Sequence, residues 1–299
     1  MTGSTGLVGS ALVASLLRDG VHVTCLVRDR EQVGPGRAYW NPEKGELDAR
    51  ELEGFDAVVH LAGAGIADGR WTKARKRILL ESRVRSTALL ANAIASCENK
   101  PGVLVSASGV GFYGNQPDNA VDEQSPKGDG FLAEVCAQWE AATTPASEAG
   151  VRVVRARFGL VMSLEGGALP KMLRPIRAGV GGHLGTGKQF VPWVTLHDAV
   201  SALRFAIDEP TLAGNVNVVA PEPCTNREMT LKIAKACGRR TLMPVPAFAL
   251  RAGLGEMAEE LLLSGANVRP RVLERAGFRF DDPRLEDALS ELLQGATAA

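Results

Sequence analysis

Tyrosine is nearly missing from this 299-residue chain: there are two, within an aromatic content of 5%. Chemistry that needs a phenol can therefore draw only on Tyr39 and Tyr113. Histidine is sparse too, with four scattered residues, and the five cysteines (Cys25, Cys97, Cys136, Cys224, Cys237) form no C-x-x-C pair. Neither pattern has the close ligand spacing of a metal site. Thiols scattered among apolar neighbours suit a reducing compartment, so a cytoplasmic location is expected. No excess of charge exists either, since Lys+Arg and Asp+Glu balance at 34 each. That leaves no basic field to hold nucleic acid and no charge run to lie on a membrane surface. The longest apolar runs have the length of strands, too short to span a bilayer. What is left, 45% hydrophobic and 23% charged, is the make-up of an ordinary globular protein.

Glycine, by contrast, stands where it carries information. Gly3, Gly6 and Gly9 form a G-x-x-G-x-x-G loop that runs into a helical pattern over 10–17. Glycines there let main chain approach a pyrophosphate, and the helix end offers free N–H groups to it. A strand pattern over 21–27 follows, as a βαβ unit requires. Such a loop normally follows a buried strand, yet only Met1 and Thr2 precede Gly3. The expectation is that an upstream strand is missing or truncated, which would leave two neighbouring strands short of a partner. The alternative is a chain that begins here and tolerates the gap.

Strand and helix patterns alternate through the first half: strands over 56–63, 102–107 and 151–157, and long helices over 73–95 and 131–144, with Pro145 ending or kinking the second. This predicts an α/β fold with a Rossmann-like, doubly wound parallel sheet. From about Gly159 glycine-rich loops intervene, with short strands over 190–194 and 216–219 and helices over 226–237, 247–263 and 284–293. We expect a dinucleotide-binding domain over 1–160 and a smaller substrate-side lobe over 161–299, partly interleaved with it.

The residue ending the second strand of such a unit reads the adenosine ribose: an acid bonds the 2′-hydroxyl of NAD, and an arginine accommodates the 2′-phosphate of NADP. Here Arg28 comes first after the strand, which favours NADP over NAD. Asp29 is the counterargument, and a plain solvated turn is the alternative.

The stretches TGSTGLVGSAL at the start, HLAGAGI at 60–66, RW at 70–71, ESRVRST at 81–87, SASGVGFYG at 106–114, WEAA at 139–142, GTGKQFVPWV at 185–194 and PRVLERAGFRF at 270–280 carry a resemblance across nearly the whole chain. The sequence resembles the extended short-chain dehydrogenase/reductase superfamily and, within it, the epimerase-family group of NADP-binding proteins with unassigned small-molecule substrates. The resemblance implies that Gly3, Thr5, Gly6, Leu7 and Val8 wrap the pyrophosphate. It places Leu61, Ala62 and Gly63 along the adenosine and ribose side, and Leu160 at the nicotinamide end. Arg83 would reach ribose or phosphate, unless it is an ordinary surface arginine. A homodimer is also implied.

Superfamily catalysis rests on Tyr-x-x-x-Lys, in which the lysine lowers the phenol pKa. The chain has no such motif, and Phe131 and Val135 occupy its expected place. Ser108, just past the fifth strand, would then orient a substrate carbonyl or hydroxyl, with Tyr113 as substitute acid/base. The alternative is a Ser108 bonded to backbone and a Tyr113 packed in the pocket wall. Lys171, Gln189 and Trp193 are candidates for the substrate side, against the plainer readings of a solvated lysine and a core tryptophan. Gly182 to Lys188 satisfies G-x-x-x-x-G-K, but Gln189 stands where Ser or Thr would hold Mg²⁺ and no helix follows, so a phosphate loop is not expected. Asp198 is expected to cap the helix over 199–206. Two functions stay open: redox or epimerase-like chemistry on a small, nucleotide-linked substrate, and a non-catalytic NADP-binding sensor.

Overall fold

The computed structural model describes residues 1–241 and 243–295; positions 296–299 of the expected second lobe lie outside the described residues. Its first half contains α1 (Leu7–Arg18), β1 (Cys25–Val27), β2 (Arg37–Asn41), β3 (Glu46–Leu47), β4 (Ala57–His60), α2 (Lys73–Ser96), β5 (Val103–Gly109), β6 (Gln116–Val121), α3 (Phe131–Ala141), α4 (Thr144–Glu148) and β7 (Arg152–Phe158). The second half contains β8 (Leu160–Met162), α5 (Leu169–Arg177), β9 (Trp193–Thr195), α6 (Leu196–Asp208), β10 (Gly214–Val218), α7 (Asn226–Ala236), α8 (Ala247–Leu254), α9 (Glu256–Ala258), β11 (Ala266–Val268), α10 (Arg271–Arg275) and α11 (Leu285–Gly295).

Strands β10, β7, β5 and β4 lie side by side, all parallel. Strand β5 is apolar and buried along most of its length, as a strand covered on both faces must be. Alternation sorts its side chains: Val103 and Val105 join Leu12, Val154, Leu203 and Val216 beneath α1 and α6. Leu104 joins Leu90, Ile94 and Val153 beneath α2. Each such side chain contributes roughly 1.5–3 kcal/mol by leaving water. The expected gap is where Met1 and Thr2 sit. Leu26 N donates to Met1 O (2.7 Å), and Thr2 N donates to Val59 O (2.9 Å). Thr2 forms a single parallel bridge with His60. These two residues join β1–β3 to the larger sheet.

The two expected lobes interleave, because α6 and β10 return to the first sheet after residue 160. The remaining segments have their own core, with Met162, Leu169, Trp193, Met229, Ile233 and Leu289. Three local expectations need correction. Pro145 opens α4 at its first turn, where a missing N–H costs nothing, and α3 has already ended at Ala141. The single helix expected over 247–263 is broken at Gly255 (φ +62), a conformation that suits glycine, and ends in a π-type turn over Glu259–Leu263. Thr195, not Asp198, caps α6. Asp198 is fully buried and accepts from Asp281 N (2.9 Å) and Asp282 N (3.0 Å), tying the C-terminal segment to α6. Among the described residues no helix is long and apolar enough to cross a membrane.

Candidate functional site

The glycine loop is shaped by contacts that only glycine permits. Gly3 has φ +69, and a β-carbon there would lie 2.7 Å from the Leu61 carbonyl carbon. A β-carbon on Gly9 would overlap the Gly3 carbonyl oxygen, so α1 packs directly on the loop. Gly6 opens α1 with no side-chain cap, and Thr5 and Gly6 are exposed. Among the described residues no capping side chain accepts from the first-turn amides of this twelve-residue helix, which opens with Leu7 and Val8.

A buried relay ties this loop to its neighbours. Thr2 Oγ1 accepts from Leu61 N (3.2 Å) and Ala62 N (3.3 Å) and lies 2.7 Å from His60 Nδ1. With both lone pairs engaged, the hydroxyl must donate to Nδ1, which puts the imidazole proton on Nε2 facing Ser86 Oγ (3.2 Å). Ser86 passes its own proton to Ser82 O (2.7 Å) in α2. Burial pushes the His60 pKa from 6.5 down to about 3. The unfolded chain therefore takes up this proton first, and stability is lost as pH falls from about 6.5 toward 3, by at most about 1.4 kcal/mol per pH unit from this group. Urea midpoints between pH 7 and 4 check this, and the acid-side slope should shrink in His60→Asn.

Beyond the relay, Gly63 is exposed and lies against Arg83, whose guanidinium carbon would be 3.4 Å from a Gly63 β-carbon. Arg83 is half-buried, donates to Leu79 O (3.0 Å), lies 5.1 Å from the Trp139 ring centre and has no carboxylate partner among the described residues. Burial lowers its pKa. A guanidinium drawn out of water without an acid is costly unless an anion or acceptor meets it. The Trp139 indole N–H, also buried, has no partner among the described residues. Arg28 is exposed directly after β1 and makes no ion pair among the described residues.

At the C-terminal end of β5 the chain builds a closed polar network. Ser108 Oγ donates to Glu140 Oε1 (2.7 Å). Arg157, 1% exposed on β7, grips both Glu140 oxygens at 2.7 Å and donates to Tyr113 Oη (2.9 Å). The phenol donates to Asn217 Oδ1 (2.7 Å). Parallel pairing sets Ser108 opposite Arg157, and the helix-borne Glu140 completes the triangle. Tyr113 is fully buried, and its pKa is pushed up to about 12, by burial first, against the pull of Arg157. As placed, the phenol is held inside the network, away from solvent. Removing its hydroxyl strands Arg157 Nη1 and Asn217 Oδ1, so Tyr113→Phe should cost about 1–3 kcal/mol in urea unfolding. Ser108 spends its proton on Glu140 as placed. In this arrangement its remaining lone pairs are set to accept from a hydroxyl or an amide N–H.

Sequence reasoning left Glu140 and Arg157 without a joint role. Strand β7 carries three arginines, Arg152, Arg155 and Arg157, and nothing in the sequence singles out Arg157 as the partner of Glu140. It also missed what surrounds Phe131, which packs edge-on to Trp71 (5.2 Å) with Lys76 Nζ 4.4 Å from its ring centre.

The expected substrate-side residues are not gathered around an opening. Trp193 is 1% exposed in the second core, with no ring face free for stacking. Gln189 is buried and donates to Leu184 O (3.1 Å) and Leu262 O (2.6 Å). Lys171 is exposed on α5, and Leu160 is half-buried on β8, paired with Trp193. In the G-x-x-x-x-G-K stretch, Leu184 N, Gly185 N and Gly187 N donate to Asn226 Oδ1, Val245 O and Leu184 O, so these amides are not free for a phosphate.

Residues 1–220 match the profile of the NAD dependent epimerase/dehydratase family, and residues 245–292 match a domain of unknown function, DUF1731. The chain is 44% identical to the epimerase family protein Mb2239 of Mycobacterium bovis, over 97% of this chain and 95% of that one. It is 36% identical to the epimerase family protein YfhF of Bacillus subtilis, over 98% and 97%. A crystal structure of human epimerase family protein SDR39U1 with NADPH matches with a TM-score of 0.90 at 35% identity, covering 98% of each chain.

Proposed function

This chain belongs to the NAD-dependent epimerase/dehydratase family, and from that premise we propose that it binds NADP(H) and acts on a small hydroxyl-bearing substrate. The observation that carries the reading is the uncapped N-terminus of α1 behind a loop whose Gly3 and Gly9 leave no room for a β-carbon. The residues fit the cofactor. Gly3, Thr5, Gly6, Leu7 and Val8 would wrap the pyrophosphate with main-chain amides. Leu61, Ala62 and Gly63 would flank the ribose side, held in place by the Thr2 hydroxyl. Arg28, free of acid partners among the described residues, would meet the 2′-phosphate that distinguishes NADP from NAD. Arg83, without a carboxylate of its own, would anchor ribose or phosphate beside Gly63, and Leu160 would lie at the nicotinamide end. The NADPH bound to the human relative supports the same preference.

When bound, a nicotinamide cofactor supplies or takes up hydride. Ser108 would orient a substrate hydroxyl or the cofactor amide by accepting its proton, while Glu140 fixes the direction of the Ser108 O–H. A nucleotide-linked sugar is the substrate class we favour. Titration calorimetry with NADPH and NADH tests the core of the reading: Arg28→Ala should weaken NADPH about tenfold or more and leave NADH unchanged. Equal losses for both cofactors would remove Arg28 from phosphate recognition.

A second reading, an NADP-binding sensor without turnover, is favoured by Phe131 at the place of the missing phenol and by the enclosure of Tyr113. A pooled metabolite screen following oxidation of bound NADPH separates the two. Turnover on any metabolite excludes the sensor.

A further inference from the structure

Phe131, where a catalytic phenol would stand, lies under the protein's own C-terminal segment. Glu260 places both carboxylate oxygens on the first amides of α3, accepting from Phe131 N (2.6 Å) and Leu132 N (2.8 Å). Lys76, above the Phe131 ring, holds Glu256 (2.7 and 3.0 Å). Met257 is buried with Trp71 and Leu79, and Leu254 and Leu261 pack on the same cluster as Phe131 and Leu132. Arg70 donates to Ala252 O (3.5 Å), and Gln189 donates to Leu262 O (2.6 Å). The segment thus crosses the chain that follows β4 and the start of α3. Those elements extend from the C-terminal edge of the sheet, the edge at which open α/β sheets receive ligands.

The attachment is shallow. Across 251–263 only Met257 and Ala258 are buried, and the π-type turn that carries Glu260 buries no residue. Exposed ion pairs of the Lys76–Glu256 kind stabilise little, because water competes for both partners. One glycine bends the segment and another follows it. Gly255 turns at φ +62, and Gly265 lies so close to Phe190 O that a β-carbon would overlap it. From Gly265 onward the chain is fixed, with Gln116 N donating to Gly265 O and β11 pairing with β6. A segment held by ion pairs, a few hydrogen bonds and one shallow apolar cluster, and followed by a fixed strand, is suited to move as a unit.

We propose that residues 251–263 are a strap over the substrate end of the cleft, latched by Glu260 on α3, which lifts to admit the reactant. This gives a role to part of the segment matching a domain of unknown function, and it rests on reading the C-terminal sheet edge as the ligand end. A closed strap would keep water from a bound nicotinamide, and an open one would expose it.

Hydrogen exchange on the full chain, without cofactor, reads the strap directly. Peptides over 251–263 should exchange about tenfold or more faster than β5 and β7, and Glu260→Ala should raise their rate about tenfold further while β5 and β7 stay as they were. Glu260→Gln, which keeps an acceptor oxygen, should give a smaller rise and serves if the alanine variant does not fold. Acrylamide quenching of bound NADPH fluorescence reads the cover: Glu260→Ala should raise the quenching constant several-fold, with NADPH affinity within about twofold of the parent. Protection over 251–263 equal to that of β5 and indifferent to both substitutions overturns the proposal. So does faster exchange with unchanged quenching, since a strap that moves without uncovering the nicotinamide is not this one. Failure of NADPH to bind would fall on the cofactor reading, because the exchange experiment does not need it.

Discussion

Arg157→Ala is expected to lower the unfolding free energy by about 3–5 kcal/mol, the largest stability loss foreseen for a polar substitution in this protein. The reason is the position of Glu140, 8% exposed between α3 and the sheet, with both oxygens held by Arg157. Removing the guanidinium leaves a buried carboxylate whose remaining hydrogen bond among the described residues comes from Ser108, and it also strips Tyr113 of a donor. Urea denaturation checks the value. The partner experiment is Arg157→Met combined with Glu140→Leu. With both charges gone no desolvation cost remains, so the double variant should recover much of the stability that either single change loses. A double variant as weak as Arg157→Ala would mean that the pair stabilises through its geometry beyond the charges themselves.

Gly9→Ala is expected to abolish measurable NADPH binding, a loss of at least ~100-fold or about 2.7 kcal/mol. A methyl group at Gly9 overlaps the Gly3 carbonyl oxygen, so α1 must move off the loop and carry its first-turn amides with it. The same change should cost about 1–3 kcal/mol of stability by overpacking. Gly6→Ala is the internal control for the sterics: its β-carbon would sit 3.4 Å from Gly3 O, so the fold should hold while affinity falls less. Calorimetric titration with NADPH, with circular dichroism to verify folding, distinguishes the two. Affinity unchanged in a folded Gly9→Ala variant would take the pyrophosphate away from this loop.

Particular residues show how far the sequence was legible. Gly3, Gly6 and Gly9 announced the loop by their spacing, and at Gly3 and Gly9 the spacing answers a local steric demand that only glycine meets. The apolar stretch Val103–Val105 that opens β5 announced a buried parallel strand because burial on both faces requires it. Arg28 and Asp29 were legible as a turn after a strand, but which of them reads a ribose is a matter of ligand geometry. Thr195 and Asp198 show the opposite case: both are cap-forming residue types, and only the approach of the chain at 281–282 decides that Asp198 binds backbone from a distant segment. Trp193 and Gln189 were equally undecidable, since an aromatic or amide near glycines suits a pocket or a core until neighbouring elements close over it.

By itself, the sequence determined the alternation of elements, the glycine loop, the parallel sheet and the absence of a Tyr-x-x-x-Lys pair. These are set by steric and burial demands between residues near one another in the chain. Tertiary structure alone decided that Ser108, Glu140, Arg157, Tyr113 and Asn217 form one network, and that Glu260 caps a helix that opens 129 residues earlier. Ion pairs and helix caps depend on a few ångströms of separation and on removal from water. Residues so far apart in sequence acquire both only when the sheet register and the helix packing bring them together.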